Sequence, residues 1–264
     1  MNKNSGDLAT KEYWDSIYDQ PATGNSMHRG FYWKPFSYGD KLIELIIAST
    51  IEKYKPNTVL EIGCGNSNWL PYIAQKWDVT VYGIDYSQAG CNLVIRKLVR
   101  KEDKNNIFCI DFFDQEAMRC IPKVDFIYSL GVVEHFSNTE EVIKIFSSLL
   151  NPDGILLTEV PNITGIYKWI LQAYQPKIYK KHKALTNSEL KKVYEKNNFK
   201  IVKEGKLGCF WLGLIAWGIE PRFPALDKII CSIALKKINS SDKKKNIKAV
   251  TNCAPYIYIV GKKK

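Results

Sequence analysis

A short apolar run that ends in two glycines, Thr58-Val-Leu-Glu-Ile-Gly-Cys-Gly-Asn66, opens onto a helical pattern at Trp69-Leu-Pro-Tyr-Ile-Ala-Gln75. Strand, tight turn and helix start in that order form the local geometry that cradles a nucleotide-like ligand on backbone amides. Gly63 and Gly65 permit torsions and a close ligand approach that a Cβ would block. Glu61 puts a carboxylate where a sheet strand takes an apolar residue, so it requires a cation or a set of donors. Residues 79–84 read as a second strand closed by Asp85, which is placed to accept from both hydroxyls of a ribose. A nicotinamide-dinucleotide fold would carry a third glycine at position 68, and Asn68 counts against it.

The alternation that follows sets the fold class. Strands are expected at 58–62, 79–84, 107–110, 124–129 and 154–160, with helices at 67–76, 88–101 and 139–150 between them. Strands alternating with helices of this length pair in parallel, with helices on both faces, giving a doubly wound, Rossmann-like α/β sheet. Turn residues at 103–106 and at 151–154 mark two of the boundaries. Ligands bind such sheets beyond the carboxyl ends of the strands, where Gly63, Asp85, Asp111 and residues 129–136 all fall.

Either side of this core, 56–162, the pattern changes. Residues 1–55 hold a short aromatic helix (Tyr13, Trp14, Ile17, Tyr18), which either docks by its apolar face or forms a lid, and a helix over 40–54. Between them, residues 21–40 carry His28, Arg29, Phe31, Tyr32, Trp33 and Phe36, an irregular aromatic segment of the kind that lines small-molecule sites. Residues 163–264 continue the same domain. The alternation stops at 161, and 161–185 is aromatic and basic. Thr186 with Glu189 forms a capping box for a helix to about residue 196, followed by a strand at 199–203, an insertion over 206–253 and a last strand at 256–260. Seven strands result, mostly parallel with a terminal antiparallel strand, and the insertions at about 163–185 and 206–253 form aromatic caps.

Composition narrows the function classes. The 264 residues are 45% hydrophobic, enough for a core, and carry a net charge of +11 concentrated in lysine runs of the second half. Such runs serve either a solvated surface or contact with nucleic acid or anionic lipid. Seven cysteines without a C-x-x-C pair argue for reduced thiols in a cytoplasmic protein. His28, His135 and His182 are widely spaced, so no metal pattern is expected. The N-terminus has no apolar signal-peptide core, and the apolar stretch at 207–219 is too short to span a bilayer, although it could rest on a membrane surface.

Five motifs in order, Glu61-Ile-Gly-Cys-Gly65, Asp85, Asp111-Phe112, Gly131-Val-Val-Glu-His-Phe136 and Asn151-Pro-Asp-Gly154, resemble the class I S-adenosylmethionine-dependent methyltransferases. The resemblance is close over 56–162 and implies S-adenosylmethionine as cofactor. It would place Gly63, Cys64 and Gly65 against the methionine part and Glu61 at its ammonium. Asp85 would take the ribose, with Tyr86, Asp111 and Phe112 around the adenine, and Leu130 and Gly131 would border the sulfur. The family's frequent third glycine is replaced here by Ser67 and Asn68. Because the sulfonium is already a strong electrophile, catalysis asks for in-line positioning and, where needed, a base. His135 is the first candidate for that base, with the alternatives that it caps the following helix or holds the loop; His28 and Tyr18 come next. Nucleobase-amine and glutamine methyltransferases carry an Asn/Asp-Pro-Pro-aromatic run after strand four; here that place is Leu130-Gly-Val-Val133, which argues against nucleic acid as partner. The expected acceptor is a small molecule, O-methylated before N- or C-methylated. The rival readings are a membrane-surface enzyme and a non-catalytic binding protein on the same fold.

Overall fold

The computed structural model describes residues 6–19, 38–208 and 254–264. Two helices, α1 (Lys11–Tyr18) and α2 (Tyr38–Tyr54), precede the alternating part. That part runs β1 (Thr58–Ile62), α3 (Trp69–Trp77), β2 (Thr80–Asp85), α4 (Gln88–Lys97), α5 (Lys101–Asn105), β3 (Ile107–Cys109), β4 (Val124–Leu130), α6 (Thr139–Ser148) and β5 (Leu150–Pro161). Helices α7 (Gly165–Tyr174), α8 (Pro176–Tyr179) and α9 (Asn187–Lys196) follow, then strands β6 (Phe199–Leu207) and β7 (Tyr256–Lys263).

The seven strands form one sheet in the order β3-β2-β1-β4-β5-β7-β6. The first five pair in parallel, and β7 is antiparallel to both β5 and β6. Strand order reverses between β1 and β4, so their carboxyl ends border the crevice in which doubly wound sheets hold ligands. Period-two alternation sorts the apolar side chains to two faces. Val59, Val81, Tyr128 and Leu157 pack with Leu42, Ile46, Leu70 and Ile73 of α2 and α3. Leu60, Ile62, Ile127 and Leu156 pack with Val142 and Phe146 of α6 and Leu190 and Tyr194 of α9. Both faces are covered, which is why these strands read as nearly continuous apolar runs. Asp125 ties β1, β4 and β5 together at the opposite edge, accepting from the Asn57 and Thr58 amides, the Thr58 hydroxyl and Asn151 Nδ2.

Three expectations need correction. The helix expected over 88–101 ends at Lys97, and most of the turn expected at 103–106 is instead a second helix, α5. Leu98 leaves the helix with φ −71° and ψ 135° to bury its side chain, and Arg100 reaches Asp78, the Val79 carbonyl and Asp103. The aromatic, basic stretch after 161, in which no helix is expected, holds one: Tyr167 and Leu171, spaced by four, bury one face of α7. Strand β5 starts at Leu150 rather than 154, because Leu150 already pairs with Val124 and the turn at 151–154 is taken up by a register shift. The capping box at Thr186 and Glu189 forms as expected. The aromatic segment with His28 and the insertion over 209–253 lie outside the described residues.

Candidate active site

The turn after β1 is shaped by contacts that exclude side chains. Gly63 takes φ +81°, and its amide and that of Cys64 both donate to the Ile84 carbonyl, at 2.8 and 3.1 Å. Gly65 has ordinary torsions; what a Cβ there would meet is Asp85 Oδ2 at 2.7 Å and the Tyr18 ring at 2.8 Å. Cys64 contributes its backbone alone, since its buried thiol lies under the loop against Gly83 and Cys91. Where the family often has another glycine, the Ser67 hydroxyl accepts from the Trp69 and Leu70 amides and caps α3.

Two carboxylates stand at this end. Glu61 lies opposite Tyr128 in the β1–β4 register, and the Tyr128 hydroxyl donates to its Oε2 at 2.8 Å. Burial raises the Glu61 pKa to about 7, against the lowering effect of hydrogen bonds from Ser67 and Tyr128. Asp85 accepts the Ser87 amide on Oδ1 and the Gly65 amide on Oδ2, both at 2.8 Å; burial still pushes it up to about 6. Beside it, Tyr86 donates to the Ala9 carbonyl and to Asp7, and Ser87 Oγ donates to Asp15 of α1. These bonds lay α1 across the carboxyl ends of the strands. Tyr18 therefore sits on Gly65 and Gly90, at the glycine loop, where burial raises its phenol pKa far above the ordinary value. Phe112 packs on Phe136 and Phe146, whereas Asp111 is exposed in the adjoining turn, its Oδ1 accepting from the Phe113 amide at 2.9 Å.

A second group gathers beyond β4. Gly131 takes φ +65°, and its amide donates to the Glu159 carbonyl at 3.0 Å. The next residues are stitched on both sides. Leu8 N donates to the His135 carbonyl and Lys183 N to the Glu134 carbonyl, each at 2.7 Å. His135 and His182 are thereby brought to a ring separation of 4.4 Å, with Trp14 of α1 edge-on to His135 at 5.2 Å. His135 is buried, and desolvation, with His182 second, holds its pKa down to about 3, so the ring is neutral. Burial raises Glu134 to about 8 and raises Glu159 as well, with Glu134 as its repelling neighbour.

One cavity of about 380 Å³ joins the two groups, reaching from Glu61, Gly63 and Asp85 to Leu130, Gly131, His135 and His182. Tyr86, Phe112 and Tyr18 line it too; Cys64 and Asp111 do not. Glu159 and His182 escape a reading of the sequence because no local motif ties them to the 131–136 segment; only the path of the chain over the sheet brings them there.

The Methyltransferase domain family model matches residues 38–204. A probable (S)-tetrahydroprotoberberine N-methyltransferase 2 of Papaver bracteatum is 30% identical over 104 residues, 39% of this chain but only 28% of the plant protein's length. The EEF1A lysine methyltransferase 2 of Danio rerio is 26% identical over 178 residues, 64% of this chain and 75% of that protein. Among solved structures, a SAM-dependent methyltransferase from Archaeoglobus fulgidus shares the fold at a TM-score of 0.54 and 21% identity, covering 84% of this chain and 94% of that one. With the family model matching more than half of its length, the chain belongs to the methyltransferase-domain family, as a class I S-adenosylmethionine-dependent methyltransferase.

Proposed function

We propose that the protein methylates a hydroxyl oxygen of a small molecule held between Gly131 and the Glu134–His135–His182 group. The observation that carries this reading is the single cavity, which begins at the glycine loop, ends at those polar groups and is crossed by α1. It suits a molecule enclosed on several sides better than a flat macromolecular surface.

The residues at the first end fit S-adenosylmethionine. Glu61 is a buried carboxylate without a full counter-charge, and an ammonium at the loop would supply one. Asp85 keeps lone pairs beyond those given to the two amides, and these would accept the ribose hydroxyls. Tyr86 and Phe112 would flank the adenine, and the exposed Asp111, whose Oδ1 takes the Phe113 amide, would offer Oδ2 to its amine. Tyr18 would close the loop over the cofactor instead of acting as base. Bound there, the cofactor supplies an electrophilic methyl on sulfur. The chain's own residues align the acceptor along the line past Leu130 and Gly131 and exclude water with Trp14 and Phe136. The acceptor hydroxyl would lie against the Nε2 lone pairs of His135 and His182, which would accept its hydrogen bond and take the proton as the methyl transfers.

The test is incubation of the full chain with methyl-labelled S-adenosylmethionine and a panel of phenols, hydroxylated lipids, sugars, amines and lysine peptides. Label in a hydroxylated compound, lowered in His135→Gln with cofactor affinity retained, is the expected result. Label confined to amines or to peptide lysine would overturn the O-directed assignment.

A further inference from the structure

Glu134, His135 and His182 each offer one ligand atom, and the three atoms lie within 4.8 Å of one another. Both imidazoles are oriented by the backbone. His135 Nδ1 stands 2.8 Å from the Lys181 carbonyl, and His182 Nδ1 stands 2.7 Å from the Ile178 carbonyl. A carbonyl only accepts, so each Nδ1 carries the hydrogen and each Nε2 keeps its lone pair. A ring N–H anchored on a backbone carbonyl is the arrangement that fixes metal-binding histidines in tautomer and direction.

The carboxylate makes an independent case. Glu134 is 1% exposed, and among the described residues its Oε2 has no hydrogen-bond partner. Glu159, 2% exposed, has the same vacancy at Oε1. Lys181, the cation beside His135, turns its ammonium onto the Tyr13 ring at 4.0 Å. Two buried carboxyls with open oxygens stand next to two open imidazole lone pairs, and a cation entering there would take the place of the carboxyl proton and complete the site.

We propose that Glu134, His135 and His182 bind a divalent first-row transition-metal ion, leaving a coordination position toward the cavity for an oxygen of the acceptor. Two imidazoles and one carboxylate suit zinc, iron, cobalt or manganese better than calcium or magnesium, which take oxygen ligands. Ligand bonds of about 2.0–2.2 Å place neighbouring ligand atoms about 3.4 Å apart. His135 Nε2 and Glu134 Oε1 stand 3.9 Å apart and all three ligand atoms lie within 4.8 Å, so side-chain adjustments of up to about 1.4 Å would close the set. The absence of a metal pattern in the sequence reflects spacing alone: His182 arrives through the pairing of residues 181–183 with 134–135. Ion binding stands on these residues by themselves. What the ion does, lowering the pKa of a coordinated hydroxyl, rests on the methyl-transfer reading.

The experiment is a Co²⁺ titration of the chelator-treated full chain, followed by absorption, with S-adenosylhomocysteine affinity measured in parallel. The expected result is one equivalent of Co²⁺ with d–d bands and no thiolate charge-transfer band, and loss of that spectrum in His182→Ala. Glu134→Gln, close in size and shape, gives a second readout of the same loss should His182→Ala fail to fold. No stoichiometric Co²⁺, a thiolate spectrum from exposed Cys109 or Cys120, or a folded variant that binds like the parent would overturn the site. Failure to bind S-adenosylhomocysteine would count against the methyl-transfer reading and leave the metal result standing.

Discussion

Glu61 and Asp85 show how burial sets the chemistry of single side chains. A carboxyl held near pKa 7 keeps its proton below neutrality, yet the proposed pairing with a cofactor ammonium requires the charged form. Binding must therefore expel that proton at pH 6, and expels almost none well above pH 7. The expected outcome is an S-adenosylhomocysteine affinity that rises from pH 6 through about 7 and then levels, read by calorimetry across pH. Glu61→Gln should flatten the curve. Asp85 holds the Gly65 and Ser87 amides, and in the proposed site its remaining lone pairs would take the ribose. Asp85→Ala should cost about 1.5–3 kcal/mol of cofactor affinity, about 10- to 150-fold, since charge-assisted hydrogen bonds to two hydroxyls are lost. Unchanged affinity in that variant would misplace the ribose. The placement of these residues was legible because Glu61, Gly63, Gly65 and Asp85 sit on one strand–turn–helix unit and the next strand, where sequence order and spatial order agree. His182 and Glu159 were not, because tertiary pairing alone carries them to His135.

Helix α9 has both reciprocal bonds of its capping box, Thr186 Oγ1 accepting from the Glu189 amide and Glu189 accepting from the Thr186 amide. Thr186→Ala should lower stability by about 1 kcal/mol in denaturant unfolding and leave cofactor affinity alone, because α9 packs on β6, β7 and α6, none of which carries the glycine loop. A much larger loss, or any loss of affinity, would tie α9 to the site. The same element shows why boundaries were readable where a cap or a period-two run marks them. Strand β1 falls where its β-branched run predicts, and β2 begins and ends within a residue of it. Helices α4 and α5 were merged because nothing local to residue 98 signals a break; Arg100, bridging to Asp78 and Asp103 across the fold, holds the kink. Helix α7 was overlooked because Trp169 and Tyr174, exposed on its outer side, blur the period that Tyr167 and Leu171 carry.

Across the whole molecule, several lysines among the described residues act as braces. Lys183 binds the Ser137 carbonyl and Thr139, Lys191 meets Glu204, Lys196 meets Glu140, Lys262 meets Asp153, and Lys263 closes on the Ser147 and Leu150 carbonyls. Among the described residues, no helix is long and apolar enough to cross a membrane. The cavity at the strand-order reversal, with α1 across it, is then the feature around which the fold is arranged. The most direct test is a calorimetric titration of the full chain with S-adenosylhomocysteine, with NAD as comparator. One site of micromolar affinity for the first and no heat from the second is the predicted result; NAD binding, or no binding of S-adenosylhomocysteine, would contradict the cofactor assignment on which the account stands.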